Sequence, residues 1–264
     1  MAPCIAIIGA LEKEVRQIYA AVEKGTVAEE AGLTIVGGTY HGFSVVATVA
    51  GMGTVNAAAA AQHLISAHGA NALIFSGIAG GLNPKLHVGD VVIGERLRYL
   101  DTDTPLIAES APGLEEFSST DFLVELAEDA LRSHGYVNAG ENSDAAEAVP
   151  AFRRTDSDTE PMRYLRGTIA TGNRFVSGQE TKARAIAATN GDCVEMEGAA
   201  IAHIAAKNGV DCLVLRAISD NCDESYDALS SREFDLEEYA RSASGLVLAI
   251  VRRLAVKLGV DPLL

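Results

Sequence analysis

The run Cys212-Leu213-Val214-Leu215-Arg216-Ala217-Ile218-Ser219-Asp220 decides how this chain is read. From Cys212 to Ile218 every residue but Arg216 is apolar, without alternation. That pattern marks a strand buried on both faces, as in a largely parallel sheet covered by helices. Its end turns polar at Ser219 and Asp220. The same grammar recurs on either side. Ile5 to Ile8 is an apolar run ending in Gly9, and Leu11 to Val22 then follows helical spacing. Ala72 to Phe75 reads as another buried strand, ending at Ser76-Gly77-Ile78-Ala79-Gly80-Gly81. Leu33 to Val36 and Phe43 to Val49 read as a strand pair, with Gly37-Gly38 and His41-Gly42 as turn material. Asp90 to Tyr99 and Cys193 to Met196 read as strands, and so does the stretch near Gly167 to Ala170. Helices are expected at Val55 to Ala67, Phe122 to Leu131, Gln179 to Ala188, Gly198 to Lys207 and Glu237 to Leu258; several are rich in Ala, the best helix former.

No repeat and no linker divides the 264 residues. The expectation is a single α/β domain over 1–264, with a mixed central β-sheet flanked by helices on both faces. One segment, 139–163, is polar, contains Pro and has no clear period, which reads as a surface insertion.

The chain carries 36 Asp+Glu against 21 Lys+Arg, a formal net charge of -15. Such an excess argues against a nucleic acid or an anionic membrane as partner, since both attract basic surfaces. The 48% hydrophobic content excludes a disordered acidic chain. No apolar run approaches the roughly 20 residues of a membrane helix. Cys4, Cys193, Cys212 and Cys222 form no CxxC pair, which fits a reducing cytoplasm better than a disulfide framework. The first residues, Met1-Ala2-Pro3-Cys4, lack a basic leader-like segment. The acid is concentrated: Asp101 to Ala130 holds nine acidic residues and no basic ones, and Ser219 to Glu238 holds eight against one Arg.

Several motifs fail. Gly51-Met52-Gly53-Thr54-Val55-Asn56 lacks the third Gly of a dinucleotide fingerprint, and neither a P-loop nor a GxSxG elbow occurs. His41, His63, His68, His87, His134 and His203 are scattered, with no metal-ligand spacing. What remains is a set of polar residues at strand ends. Glu14 follows the first strand, Glu195 and Glu197 flank Met196, and Arg216, Ser219 and Asp220 close the run quoted above. Ligands of open α/β sheets bind beyond the carboxyl ends of strands. Carboxylates there lose solvation and become fit for proton transfer.

These residues carry a resemblance. Ile7-Ile8-Gly9-Ala10-Leu11-Glu12-Lys13-Glu14, Ala50-Gly51-Met52-Gly53-Thr54-Val55-Asn56, Ser76-Gly77-Ile78-Ala79-Gly80-Gly81-Leu82, Val194-Glu195-Met196-Glu197-Gly198 and Arg216-Ala217-Ile218-Ser219-Asp220 resemble the methylthioadenosine/S-adenosylhomocysteine nucleosidases, from Cys4 to about Leu254 except for the polar insertion. The Gly-rich block is shared by the whole nucleoside phosphorylase superfamily; the Glu-Met-Glu and Arg-Ala-Ile-Ser-Asp pair is more specific. The resemblance implies hydrolysis of the N-glycosidic bond between adenine and a 5′-thio-substituted ribose. Asp220 would be the general acid, oriented by Ser219, with Glu14 activating water and Arg216 holding the water site. Glu197 would bond the ribose hydroxyls, beside Glu195, and Met196 would pack under the sugar. Phe175 would stack on adenine while the Val176 backbone reads its edge. Leu11, Met52, Ile78, Ala79 and Gly80 would line the remainder. Ile78 stands where the family often has a small hydroxyl residue. Thr104-Pro105-Leu106-Ile107 lacks the aromatic that in the family reaches the neighbouring subunit's 5′ pocket.

The resemblance also implies a homodimer that takes a small-molecule adenine nucleoside, and no metal or organic cofactor. A phosphorylase would place cations near its phosphate, whereas Glu12 and Glu14 follow the first strand here and favour water. The alternatives are a futalosine-type hydrolase or a purine nucleoside phosphorylase on the same fold, and a non-catalytic nucleoside-binding protein.

Overall fold

The computed structural model describes residues 3–103, 115–140, 161–223, 225–231 and 233–260, without the side chains of 24, 226, 230 and 233–239. Most of the 139–163 insertion, the Thr104–Ile107 stretch and part of both acidic segments lie outside the described residues. The elements in chain order are β1 (Cys4–Gly9), α1 (Glu12–Ala21), β2 (Glu23–Glu30), β3 (Leu33–Tyr40), β4 (Phe43–Val49), α2 (Thr54–His68), β5 (Ala72–Gly81) and β6 (Val91–Tyr99). They continue with α3 (Asp121–Ser133), β7 (Val137–Asn138), β8 (Arg163–Thr171), α4 (Gln179–Thr189), β9 (Cys193–Glu195), α5 (Gly198–Asn208), β10 (Asp211–Asp220), α6 (Tyr226–Ser230) and α7 (Glu233–Lys257).

The strands form one mixed sheet in the order β10-β6-β8-β9-β5-β1-β4-β3-β2, with β7 on β8. A further β10–β5 pairing closes β5, β10, β6, β8 and β9 into a ring. Strand β1 lies between β4 and β5 and is parallel to both, which explains why all six of its residues are buried. Side-chain parity divides the core. Ala6, Ile8, Leu73 and Phe75 face α2 and α5 through Ala57, Ala60, Ala61, Ala199 and Ala202. Ile5, Ile7 and Ile74 face α1, α3 and α7 through Val15, Ile18, Leu123, Val247 and Val251. The α/β sheet with helices on both faces is therefore as expected.

Two stretches differ from the sequence reading. Gly37-Gly38 is not a turn but the middle of β3, and the turn is at His41-Gly42. A Cβ on Gly38 would lie 2.5 Å from both the Glu23 carbonyl and Val22 Cγ1, so glycine is needed for close approach of β2. Strand β2, Glu-Lys-Gly-Thr-Val-Ala-Glu-Glu, escapes the apolar pattern because it is an edge strand, where charge guards against unwanted pairing. Likewise Ser76–Gly81 continues β5 rather than leaving it. Arg216 pairs with Gly77, Ile218 with Ala79, Val194 with Gly80 and Cys193 with Gly81, so partners on both sides override the low strand preference of glycine.

Candidate active site

The carboxyl ends of β1, β5, β9 and β10 open onto one cleft of about 680 Å³, counting the space at its mouth that is open to solvent. Its lining includes Leu11, Glu14, Met52, Ile78, Ala79, Gly80, Phe175, Val176, Glu195, Met196, Glu197, Ser219 and Asp220. Every site residue expected from the sequence is therefore on the wall except Arg216, which lies behind it. Ala10, Arg174, Val194, Cys222 and Leu229 also line the cleft and were not anticipated. Arg174 and Cys222 sit within two residues of expected site positions, which is the sequence signal they offered; Leu229, on α6, offered none.

Glu14 is placed by helix capping. It is the third residue of α1 and folds back over the helix start. Its Oε2 accepts from the backbone N–H of Ala10 at 2.7 Å and of Leu11 at 2.9 Å. Its Oε1 accepts from Ile78 N–H at 3.2 Å, so the Ile78 position supplies a backbone donor. Three of roughly four acceptor positions are thus filled. Burial pushes the Glu14 carboxyl up, opposed by the nearby Arg216 charge and these three N–H bonds.

Arg216 is 1% exposed. Its guanidinium lies 4.0 Å from the centroid of the Phe75 ring. It donates to Glu195 Oε2 through Nε at 3.1 Å and through Nη2, and Nη2 is 3.5 Å from Glu197 Oε2. Glu195 Oε2 also accepts the N–H groups of Glu197 at 3.0 Å and Gly198 at 2.7 Å, capping α5, while Oε1 accepts the Thr171 hydroxyl. Glu195 is thus fully engaged inside the protein. Glu197 is not: Oε1 accepts Gly53 N–H at 2.7 Å, and further acceptor capacity remains. Burial and the Glu195 charge push the Glu197 carboxyl up to about 7, against Arg216 and the Gly53 bond.

A register shift between Ile218 and Asp220 re-aims the end of β10. Ser219 Oγ donates to Asp220 Oδ2 at 2.9 Å, and Cys222 N–H donates to Oδ1 at 2.8 Å. Gly80 pairs with Asp220, and a Cβ on it would lie 2.5 Å from Cys222 Sγ. Phe175 is 39% exposed at the cleft, whereas Val176 is buried. The site thus sets one buried cation among three buried carboxylates, with a hydroxyl-supported carboxyl beyond them.

The family model described as "Phosphorylase superfamily" matches residues 4–252. A 5′-methylthioadenosine/S-adenosylhomocysteine nucleosidase of Treponema pallidum is 32% identical over 253 residues, covering 95% of this chain and 93% of the relative. An aminodeoxyfutalosine nucleosidase of Campylobacter jejuni is 28% identical, over 96% and 99% of the two chains. The crystal structure of the 5′-methylthioadenosine/S-adenosylhomocysteine nucleosidase of Neisseria meningitidis, in complex with methylthio-immucillin-A, superposes with a TM-score of 0.78 at 28% identity, covering 95% of this chain and 99% of that one. Likeness in sequence and in fold runs nearly end to end, and the chain belongs to the phosphorylase superfamily and, within it, to the 5′-methylthioadenosine/S-adenosylhomocysteine nucleosidases.

Proposed function

We propose that this protein hydrolyses the N-glycosidic bond of 5′-methylthioadenosine and S-adenosylhomocysteine, releasing adenine and a thioribose. The observation that carries this is the carboxylate character of the cleft floor. Among its described lining residues the basic side chain is Arg174, which is exposed, while Arg216 is turned toward Glu195 and Glu197. A phosphate nucleophile would meet Glu14 and Glu197 with the buried guanidinium of Arg216 already committed to Glu195 and Glu197, whereas water suits that setting.

The leaving adenine needs a proton, because its anion is a poor leaving group. Asp220 delivers it, held in orientation by the Ser219 hydroxyl and Cys222 N–H. The ribose gains positive charge as the bond breaks, and the buried carboxylates stabilise it. Glu197 uses its remaining acceptor capacity on the ribose hydroxyls, and Met196 packs under the ring. Glu14 has one acceptor position left, and its raised affinity for a proton makes it the base that takes one from water. Arg216 fixes the charge balance around that water rather than touching substrate, and Glu195 positions Arg216 and α5. Phe175 stacks on adenine, the Val176 backbone reads its edge, and Leu11, Met52, Ile78, Ala79 and Gly80 enclose the sugar and its 5′ group. No metal or cofactor enters these steps. Two copies pair in our reading, with the 80% exposed Val55 on α2 as a contact candidate, and the protein works in the cytoplasm, in line with its four free buried cysteines. Among the described residues no helix is long and apolar enough to cross a membrane.

Adenine release in phosphate-free buffer tests the reading, with methylthioadenosine, S-adenosylhomocysteine and aminodeoxyfutalosine side by side. Release from the two thioribosides, unchanged on adding phosphate, is expected. A phosphate-dependent rate would make the protein a phosphorylase, and binding without release a nucleoside-binding protein. Preference for aminodeoxyfutalosine would place it with the Campylobacter jejuni relative.

A further inference from the structure

Away from the cleft, the fold gathers three residues that the sequence scatters. Glu30 ends β2, at the sheet edge, and His63 and His68 lie in the last two turns of α2. Both imidazoles approach one oxygen: His63 Nε2 and His68 Nε2 are each 3.0 Å from Glu30 Oε2. One ligand-capable atom from each residue falls within 4.8 Å of the others. The rings meet edge-on, with centroids 5.7 Å apart.

We propose that Glu30, His63 and His68 form a binding site for a zinc-type divalent transition-metal ion. The donor set fits: two imidazole nitrogens and a carboxylate oxygen are what such ions take, and hard cations such as Mg²⁺ do not favour imidazole. The spacing fits as well. In a tetrahedral site with bonds of about 2.1 Å, ligand atoms stand roughly 3.4 Å apart. Glu30 Oε2 and either imidazole nitrogen therefore need to part by only a few tenths of an ångström. The side chains are 24%, 22% and 37% exposed for His63, His68 and Glu30, half-open to solvent, so an ion can enter and a water can complete its shell. The position favours a cation electrostatically, because α2 ends at His68 and the carbonyl end of a helix carries partial negative charge. Each imidazole would carry its proton on Nδ1 in the bound state, leaving the Nε2 lone pair to the metal.

The site is separate from the chemistry. Gly53, at the start of α2, reaches Glu197, whereas His63 lies about 15 Å further along the helix and His68 about 22 Å. The bound ion would tie the β2 edge to the end of α2 and so act as a structural clamp.

The test uses untagged full-length protein stripped of metal, titrated with Zn²⁺ against a chromophoric chelator. Wild type is expected to take one ion per chain, with a large excess of Mg²⁺ failing to compete. His63→Ala and His68→Ala should bind at least roughly 100-fold more weakly, since losing a direct ligand costs more than the 10- to 100-fold typical of an outer-shell partner. His63→Gln retains a hydrogen-bond donor toward Glu30 and separates lost ligation from lost folding. His203→Ala, outside the cluster, should bind as wild type does. Adenine release should be unchanged in all four variants, and Zn²⁺ should raise the melting temperature of wild type alone among wild type, His63→Gln and His68→Ala. Failure of wild type to compete for Zn²⁺ would overturn the proposal, as would binding of wild-type strength in both His63→Gln and His68→Ala.

Discussion

Arg216 reaches a single oxygen of Glu195 with two donors, Nε at 3.1 Å and Nη2, while its face stacks at 4.0 Å on Phe75. That oxygen also caps α5, so one carboxylate fixes both the buried cation and the helix that presents Glu197. Removing the cation leaves Glu14, Glu195 and Glu197 buried without their common partner. Arg216→Met should therefore cost about 3–5 kcal/mol, the usual penalty of breaking a buried pair. Burial already raises the proton affinity of Glu14 and Glu197, and without the opposing Arg216 charge it rises further in the folded state. The loss should shrink as pH falls, and urea denaturation at pH 5 and pH 8 measures it. Equal losses at both would contradict this arrangement.

Glu197 offers a cleaner pH dependence. Its folded-state value, about 7, lies above the ordinary 4.5 because of burial and Glu195. The folded chain then holds a proton that the unfolded chain releases between those values. This contribution is full below 4.5 and is lost as pH rises through 7. Glu197→Gln keeps an acceptor for Gly53 N–H and removes the titration. It should match wild type at pH 4 and exceed it at pH 8 by on the order of a few kcal/mol, with weaker nucleoside binding. A variant no more stable than wild type at pH 8 would show that Glu197 is not held as described.

Asp220→Asn should lower adenine release roughly 100- to 10,000-fold, because the amide does not deliver a proton. The fold should persist, since the amide oxygen still accepts one of the two bonds from Ser219 and Cys222. Retention of full activity would remove Asp220 from the role of acid.

Gly77 lies under Glu14 and Arg216. A Cβ there would collide with Arg216 Nη1 and stand 2.5 Å from Glu14 Oε1. Gly77→Ala should destabilise by about 1–3 kcal/mol, as overpacking does. It should also slow turnover at least tenfold or so by displacing the base, a 1 Å error being costly at such sites. Chemical denaturation and saturated turnover report the two effects separately.

The local signals were legible where one face of burial wrote them. The apolar runs of β1, β5 and β10 are buried as read, the Ala-rich α2 and α5 are helices as read, and Glu14, Glu197, Ser219 and Asp220 could be singled out as polar residues at strand ends, where open α/β sheets take their ligands. Strand β2 was not legible, because an edge strand exposes charge that looks like a loop. Gly37-Gly38 and Ser76–Gly81 misled for a related reason: glycine signals a turn locally, yet here it admits a neighbouring strand or a guanidinium.

By itself the sequence determined the α/β class, the polar residues at the strand ends and the family likeness, since each depends on residue type and spacing along a few turns of chain. Only the tertiary structure decided that Arg216 stands behind the wall, that Glu195 serves the protein more than the cleft, and that Glu30 meets His63 and His68. These relations join residues 21 to 38 positions apart or more, on different elements. Their geometry is set by how strands pair and helices pack, which no local pattern of side chains specifies.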